Sequence, residues 1–210
     1  MSKAMRLITV LILVSPIYAQ TEISGPQSGT LGPGTYHVVG EISVASGTSL
    51  TIAPGTTFLH KGNFKWLISG EFEAMGTMAD SICFLRQQPI ASHRWGGLHF
   101  ISGAPVAELG FCVVDNCLLP YSSIFFASIN AYNGAMGFSL TNCKITNAEM
   151  GVYGGGVYAK NASVTIDGCL ISDNYANNHS RGTGVYLDGC NDAEILNSEI
   201  SRNEGYMGGS

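Results

Sequence analysis

Apolar and polar residues alternate in short runs along the chain, and no run keeps a helical period. Segments such as 164–166 (VTI) and 194–196 (EIL) are rich in aliphatic residues, and turn dipeptides such as Asp167-Gly168 and Asp188-Gly189 separate them. A helix would need about ten residues with a 3.6-residue period. The pattern therefore predicts an all-β chain of short strands with no substantial helix.

Two phrases recur along the chain at a similar interval. Gly-Val-Tyr stands at residues 156–158 and again at 184–186, an offset of 28. In the second phrase, an apolar residue comes three positions before a cysteine or serine and another comes two positions after it. Its copies are centred on Cys112, Cys143, Cys169 and Ser198, at offsets of 31, 26 and 29. A period of 25–31 residues without helices predicts a parallel β-helix, a β-solenoid with one coil per repeat.

Successive coils of such a solenoid are about 4.8 Å apart, so equivalent side chains contact each other. Cys112, Cys143 and Cys169 share one repeat position, and we predict a buried structural ladder of free thiols, because free cysteine behaves as a small hydrophobe. If Cys143 is buried among apolar neighbours, Cys143→Ser would leave an unpaired hydroxyl and cost about 1–3 kcal/mol. A disulfide bridge among the remaining cysteines stays an alternative: Cys83, Cys117 and Cys190.

Polar residues also recur at the turns. Asn116, Asn147 and Asp173 form one series in register, and Asn174 and Asn203 form a second. Amide side chains that recur at one position of a stack can form hydrogen-bonded ladders. We therefore expect side-chain ladders at these turns.

The amino-terminal half carries a looser version of the same pattern. Its clearest segments are 49–56 (SLTIAPGT), 70–77 (GEFEAMGT) and 95–98 (WGGL). These segments resemble secreted bacterial right-handed parallel β-helix repeat proteins, which share the fold of the pectin-lyase-like superfamily. The resemblance covers roughly residues 40–210. It implies a right-handed coil of three short parallel sheets, a fold often found in surface or secreted proteins.

The amino terminus has the pattern of an export signal. Lys3 and Arg6 precede an apolar run, residues 7–14, and Ala19 offers a small residue for cleavage. An uncleaved membrane anchor is the alternative, but a span needs about 20 apolar residues. We expect an exported protein, secreted or at a bacterial cell surface, with no membrane span in the mature chain.

The predicted organisation has three parts. Residues 1–19 form the signal peptide, residues 20–40 a lead-in or cap, and residues 41–210 the β-helix. The final residues, 205–210, resemble the opening of another repeat, so we expect an amino-terminal piece of a longer protein.

Composition and charge exclude several classes of protein. The 210 residues include 10 Lys and Arg against 15 Asp and Glu, a net charge of −5, which lacks the basic character of a nucleic-acid-binding protein. The 27 glycines show no Gly-X-Y period, which excludes collagen. No histidine or cysteine spacing typical of a zinc site occurs, so no metal is expected.

His93, Arg94, Trp95 and His99 form the one local cluster of titratable and aromatic side chains. The tryptophan offers a face for stacking on a sugar, and histidine and arginine offer hydrogen-bond donors. We predict a ligand-binding patch here, with His99 pointing outward because apolar residues flank it. A polar loop without a ligand is the alternative.

The acidic residues show no hydrolase signature. Glu71 and Glu73 share a strand face about 7 Å apart, a spacing common on any solvated strand. The other candidates lie in or beside turns and are expected to form them: Asp115, Asp167, Asp173, Asp188 and Asp192. The resemblance leaves a lyase open, because lyase ligands are scattered along the chain.

These observations favour an exported, non-catalytic β-helix module that contacts carbohydrate or acts in adhesion. A fragment of a polysaccharide lyase or glycoside hydrolase, with unassigned catalytic residues, is the alternative, and a purely structural stalk is a third. The module needs no cofactor, and calcium is expected only for a lyase. The expected partner is a polysaccharide or cell-surface glycan, not a nucleic acid.

Overall fold

The computed structural model of the chain describes residues 21–87, 93–101, 104–105, 107–118, 127–132, 138–150, 155–176 and 182–205. The predicted signal peptide, His179 and the glycine-rich end at 206–210 lie outside these residues. The described part of the chain contains short β-strands and no α-helix, which confirms the all-β prediction.

The strands follow one another at short intervals. In chain order they are β1 (Thr21–Pro26), β2 (Gly29–Leu31), β3 (Gly34–Val44), β4 (Ser49–Ile52), β5 (Thr56–His60), β6 (Trp66–Ile68), β7 (Glu71–Met75), β8 (Ile82–Arg86), β9 (Leu98–Phe100), β10 (Ala107–Gly110), β11 (Cys112–Asp115), β12 (Ile129–Tyr132), β13 (Phe138–Thr141), β14 (Lys144–Thr146), β15 (Glu149–Met150), β16 (Val157–Lys160), β17 (Val164–Asp167), β18 (Leu170–Ser172), β19 (Tyr175–Ala176), β20 (Val185–Asp188), β21 (Ala193–Leu196), β22 (Glu199–Ser201) and β23 (Glu204–Gly205).

Each strand pairs in parallel with the equivalent strand of the next coil, which builds three long sheets. Sheet 1 has the order β3-β5-β8-β11-β14-β18-β22, and sheet 2 has the order β3-β6-β9-β12-β16-β20. Strand β3 is long enough to belong to both, since its first half pairs with β5 and its second half with β6. Sheet 3 has the order β2-β4-β7-β10-β13-β17-β21, and β15, β19 and β23 form a small sheet. The predicted parallel β-helix is confirmed.

The core is a continuous column of apolar side chains inside the coil. Phe58, Phe84, Val114, Ile145 and Ile171 occupy equivalent positions of sheet 1 in successive coils, and all are buried. The rings of Phe58 and Phe84 stack with centroids 5.1 Å apart. One inward position of sheet 1 is therefore filled by an apolar side chain in five successive coils.

Of the predicted lead-in, residues 20–40, the described residues 21–40 contain strands that pair with the coil. Strand β1 pairs in parallel with β3, and β2 pairs with β4, so the boundary expected after Gly40 falls inside β3. Gly40 is a position of close approach rather than a turn. A β-carbon there would meet Cβ of Ser24 at 2.9 Å.

The turn after sheet 1 has the same backbone conformation in four successive coils. Asn116, Asn147, Asp173 and Arg202 follow β11, β14, β18 and β22, with φ angles of 59°, 55°, 58° and 52°. Asparagine and aspartate tolerate this left-handed conformation better than most residues. The predicted series is therefore in register at this turn.

The second predicted series forms a true amide ladder. Nδ2 of Asn174 donates to Oδ1 of Asn203 at 2.9 Å and to the carbonyl of Ile145 at 3.2 Å. Oδ1 of Asn174 accepts the backbone N–H of Ala148 at 3.1 Å. Each asparagine thus joins neighbouring coils, as expected from the repeat.

Candidate functional site

The four residues predicted to bind a ligand do not form one surface. Trp95 is 0% exposed, and its ring stacks on the ring of His60 with centroids 4.1 Å apart. Its Nε1 donates to the carbonyl of Asp115 at 3.0 Å. The face proposed for sugar stacking is therefore covered by another coil.

His99 lies on the outer side of β9, as expected, but it is buried, at 2% exposure, and does not reach solvent. Leu98 and Phe100 do face the core column, which places His99 on the opposite side of β9. Its Nε2 donates to the carbonyl of Gly96 at 2.7 Å, which draws the ring back over the preceding loop. Burial lowers the pKa of His99 to about 4, so the ring is neutral at pH 7.

Arg94 is the member of the four that reaches a concave surface. Its Nη1 donates to Oε2 of Glu149 at 2.5 Å, and its Nη2 donates to the carbonyls of Asn147 at 2.9 Å and Cys117 at 3.2 Å. His93 is half-buried beside it, and its Nδ1 makes no hydrogen bond to any described residue. Arg94 therefore joins the loop before β9 to the turns of the next two coils.

The surface that Arg94 reaches is a groove of about 500 Å³, here called the Arg94 groove. It is lined by Arg86, Arg94, Asn116, Asn147, Ala148, Glu149, Asp173 and Tyr175. These residues come from four successive coils, so the groove runs about 14 Å along the coil axis. Tyr175, 36% exposed, supplies an aromatic side chain at its edge.

Both carboxylates that line the groove are paired with arginines. Glu149 is held by Arg94, and Asp173 accepts from Nε and Nη2 of Arg202 at 2.7 and 2.8 Å. Hydrogen bonding to Arg202 lowers the pKa of Asp173 to about 2, so this carboxylate is ionised at neutral pH. Arg86 makes no ion pair with any described residue.

A family model described as the right handed beta helix region matches residues 90–209, which is 120 of the 210 residues. The chain belongs to this right-handed β-helix family. Neither the curated proteins nor the solved structures gave a significant match. Within the described part of this β-helix, no helix is long and apolar enough to cross a membrane.

Several residues of the groove are absent from the sequence-based prediction. Glu149 and Tyr175 occupy one repeat position, because β15 and β19 pair them in register. Glu149 directly follows the buried Ala148, and Tyr175 directly follows the buried Asn174. An alignment of the turn sequences would therefore have shown that Glu149 and Tyr175 are equivalent. Arg86 has no such signal, since nothing in its local sequence indicates that it meets the turns of later coils.

A row of tyrosines on the outer face of sheet 2 was also missed. The rings of Tyr132 and Tyr158 are 5.6 Å apart, and those of Tyr158 and Tyr186 are also 5.6 Å apart. Tyr158 is fully buried, whereas Tyr132 and Tyr186 are half-buried. For Tyr158 and Tyr186 the repeated Gly-Val-Tyr phrase was the sequence signal, because alternation places its tyrosine opposite the inward valine.

The carboxylates considered for catalysis lie on the outer face of sheet 3. Glu71 and Glu73 are exposed on β7, and Glu73 pairs in register with Glu108 of β10. All three line a shallow depression of about 160 Å³. Among the described residues of the β-helix, no three histidine, cysteine or acidic side chains are placed to hold a metal ion.

The column of Cys112, Cys143 and Cys169 is buried, and its three thiols are free. Contact with the Cys112 thiol and burial raise the pKa of Cys143 to about 12, so this thiol is protonated at neutral pH. The cysteines outside the column, for which a disulfide remained an alternative, are free as well: Cys83, Cys117 and Cys190.

Proposed function

We propose that this chain is a non-catalytic β-helix module that works outside the cell and contacts carbohydrate through the Arg94 groove. The observation that carries the proposal is the combination of an exposed ring, Tyr175, with hydrogen-bonding side chains from four coils in one concave surface. Ligand sites combine apolar surface with a few placed polar groups. A sugar offers hydroxyl groups to the polar side chains and C–H groups to the ring.

The rigid scaffold supports a binding role. Arg94 and Glu149 are fixed by an ion pair and by two arginine bonds to backbone carbonyls, so the groove keeps its shape without a ligand. Side chains that are already held in place lose less entropy on binding. This preorganisation suits a module that recognises a chain on a surface.

The carboxylates of the groove support binding rather than bond cleavage. A glycosidase requires a carboxylic acid that stays protonated near neutral pH in order to donate to the leaving group. Asp173 has the opposite property, because Arg202 lowers its pKa to about 2. The carboxylate of Glu149 forms an ion pair with Arg94.

Work outside the cell is supported by the sequence of the amino terminus. Lys3 and Arg6, the apolar run at 7–14 and Ala19 together have the order of an export signal. Low charge and many strands and turns suit a rod that displays loops in this environment.

The proposal is tested by passing the purified protein over immobilised neutral and acidic polysaccharides. We expect retention, and Tyr175→Ala should weaken it about ten-fold, since one stacked ring contributes about 1–1.5 kcal/mol. Met78→Ala is the control, because Met78 is a large exposed side chain outside the groove. Release of new chain ends would refute the non-catalytic role, and absence of retention on every glycan would leave a structural stalk.

A further inference from the structure

Asp115, at the end of β11, lies beneath the Arg94 groove and organises two of its amides. Its Oδ1 accepts from Oγ1 of Thr146 and from Nδ2 of Asn147, both at 2.7 Å. Its Oδ2 accepts from Nδ2 of Asn116. One carboxylate therefore bonds to side chains of two adjacent coils.

This arrangement fixes which atoms of the two amides face a ligand. A carboxylate has acceptors and no donor, so Asn116 and Asn147 must each turn their NH₂ group toward Asp115. Their Oδ1 atoms then point away from it, and neither accepts a hydrogen bond from any described residue. Since the two asparagines follow equivalent strands, these free acceptors lie one coil apart along the groove.

The charges of the groove do not favour an acidic ligand. The groove and its direct ion-pair and hydrogen-bond partners hold three carboxylates and three arginines: Asp115, Glu149, Asp173, Arg86, Arg94 and Arg202. The three negative and three positive charges cancel, and the whole chain carries a net charge of −5. A polyanion would therefore be repelled at long range and would find one unpaired arginine, Arg86, within the groove.

We propose that the Arg94 groove selects neutral, hydroxyl-rich glycans, and that Asp115 is the positioning residue that sets this preference. The inference rests on the proposed carbohydrate function and assigns the ligand class. Hydroxyl groups donate to the outward Oδ1 atoms of Asn116 and Asn147 and accept from Arg86. An acidic substituent would meet these acceptors without bringing a donor.

The experiment compares binding of the purified protein to a neutral polysaccharide, galactomannan or dextran, and to polygalacturonate of similar length. We expect the neutral glycan to bind about three- to ten-fold more tightly, as one or two hydrogen bonds would give. Raising the salt from about 0.05 to 0.5 M should change this affinity less than about two-fold, because no net charge is neutralised. Tighter, salt-sensitive binding of polygalacturonate would overturn the inference and leave the carbohydrate function intact. Failure of every glycan to bind would overturn both.

Variants test the role of Asp115 itself. Asp115→Asn keeps one acceptor oxygen and places an NH₂ group where the other oxygen was, so one of the two asparagine amides must turn. This should lower the ratio of neutral to acidic affinity about three- to ten-fold. Asp167→Asn is the matched control, since Asp167, the last residue of β17, accepts from Nδ2 of Asn197 at 2.9 Å outside the groove. An unchanged ratio in Asp115→Asn would overturn the assignment.

A second variant serves if Asp115→Asn unfolds. Asn147→Gly keeps the left-handed backbone, because glycine adopts positive φ without cost, and it removes one outward acceptor. It should weaken neutral-glycan binding about two- to ten-fold and leave polygalacturonate binding unchanged. Equal losses for both ligands would refute a preference set by these amides.

Discussion

Replacing Cys169 tests whether its thiol acts as apolar filling or as a hydrogen-bond acceptor. The backbone N–H of Cys143 donates to Sγ of Cys169 at 3.4 Å, and one coil later the N–H of Cys169 donates to Oγ of Ser198 at 3.0 Å. The same repeat position thus accepts a backbone donor through sulfur in one coil and through oxygen in the next. We predict that Cys169→Ser is tolerated and that Cys169→Ala is not.

The expected loss in the free energy of unfolding depends on which polar groups each substitution leaves without a hydrogen-bond partner. Alanine at 169 would leave the N–H of Cys143 buried and unpaired, at a cost of about 1–3 kcal/mol. The lost sulfur removes packing equivalent to about one buried methylene, or about 0.8 kcal/mol. A serine hydroxyl would instead keep the acceptor and could donate to the carbonyls of Leu140 or Asp167, which the thiol contacts at 3.5 and 3.4 Å. We expect a loss of about 2–4 kcal/mol for alanine and less than about 1 kcal/mol for serine.

The corresponding contacts of Cys143 revise the stability loss expected for Cys143→Ser. Sγ of Cys143 lies 3.3 Å from the carbonyl of Leu109 and 3.4 Å from that of Thr141, so a hydroxyl there would find an acceptor. The unpaired hydroxyl expected from the sequence does not arise. This substitution should cost less than about 1 kcal/mol.

Urea unfolding followed by circular dichroism measures these differences as shifts in the free energy of unfolding. Ser198→Ala is the companion variant, because it removes the acceptor of the N–H of Cys169 and should reproduce part of the alanine effect. Equal losses for Cys169→Ser and Cys169→Ala would refute the acceptor role. A neutral Cys169→Ala would show that the N–H of Cys143 is satisfied without it.

Three further predictions concern other buried groups. Burial lowers the pKa of His60 to about 3, so the unfolded chain, with a pKa near 6.5, binds more protons between these values. The free energy of unfolding should therefore fall by up to about 5 kcal/mol as the pH drops from 6.5 to 3. In His60→Gln the new side chain can still accept from Nε1 of Trp66, and the free energy measured by urea unfolding should depend less on pH. An unchanged slope of that free energy against pH would contradict this prediction. Asn174→Ala should cost about 1–3 kcal/mol in urea because the N–H of Ala148 loses its acceptor, and a neutral result would contradict the ladder. Gly97→Ala should lower the melting temperature markedly, because φ at Gly97 is +86° and the β-carbon of an alanine there would lie 2.6 Å from the carbonyl oxygen of Ser128. An unchanged melting temperature would contradict that geometry.

The coil could be predicted because its contacts repeat along the sequence. In a solenoid each coil contacts its neighbours, so one period fixes which residues meet. The spacing of Cys112, Cys143 and Cys169 therefore places them in one column, and the spacing of Asn174 and Asn203 places them in one ladder. Both arrangements depend on register alone.

The candidate site could not be predicted in the same way, because its key contacts cross loops of unequal length. Trp95 has polar neighbours in sequence and resembles a surface residue, but His60, from an earlier coil, covers its ring. Arg94 bonds to Glu149, which lies 55 positions later and about two coils along the stack. Local pattern indicates neither contact.

The difference between these two kinds of residue suggests where specificity resides in this chain. The side chains that close the core are interchangeable within limits, as thiol and hydroxyl are at Cys169 and Ser198. The groove depends instead on particular atoms, because exchanging one oxygen of Asp115 for an amide nitrogen would force one of the two asparagines beside it to turn. A single substitution at Asp115 is therefore expected to change which glycan is bound while the column beneath it remains intact. Such independence follows from a fold in which the core specifies the coil and the turn after sheet 1 carries the polar groups.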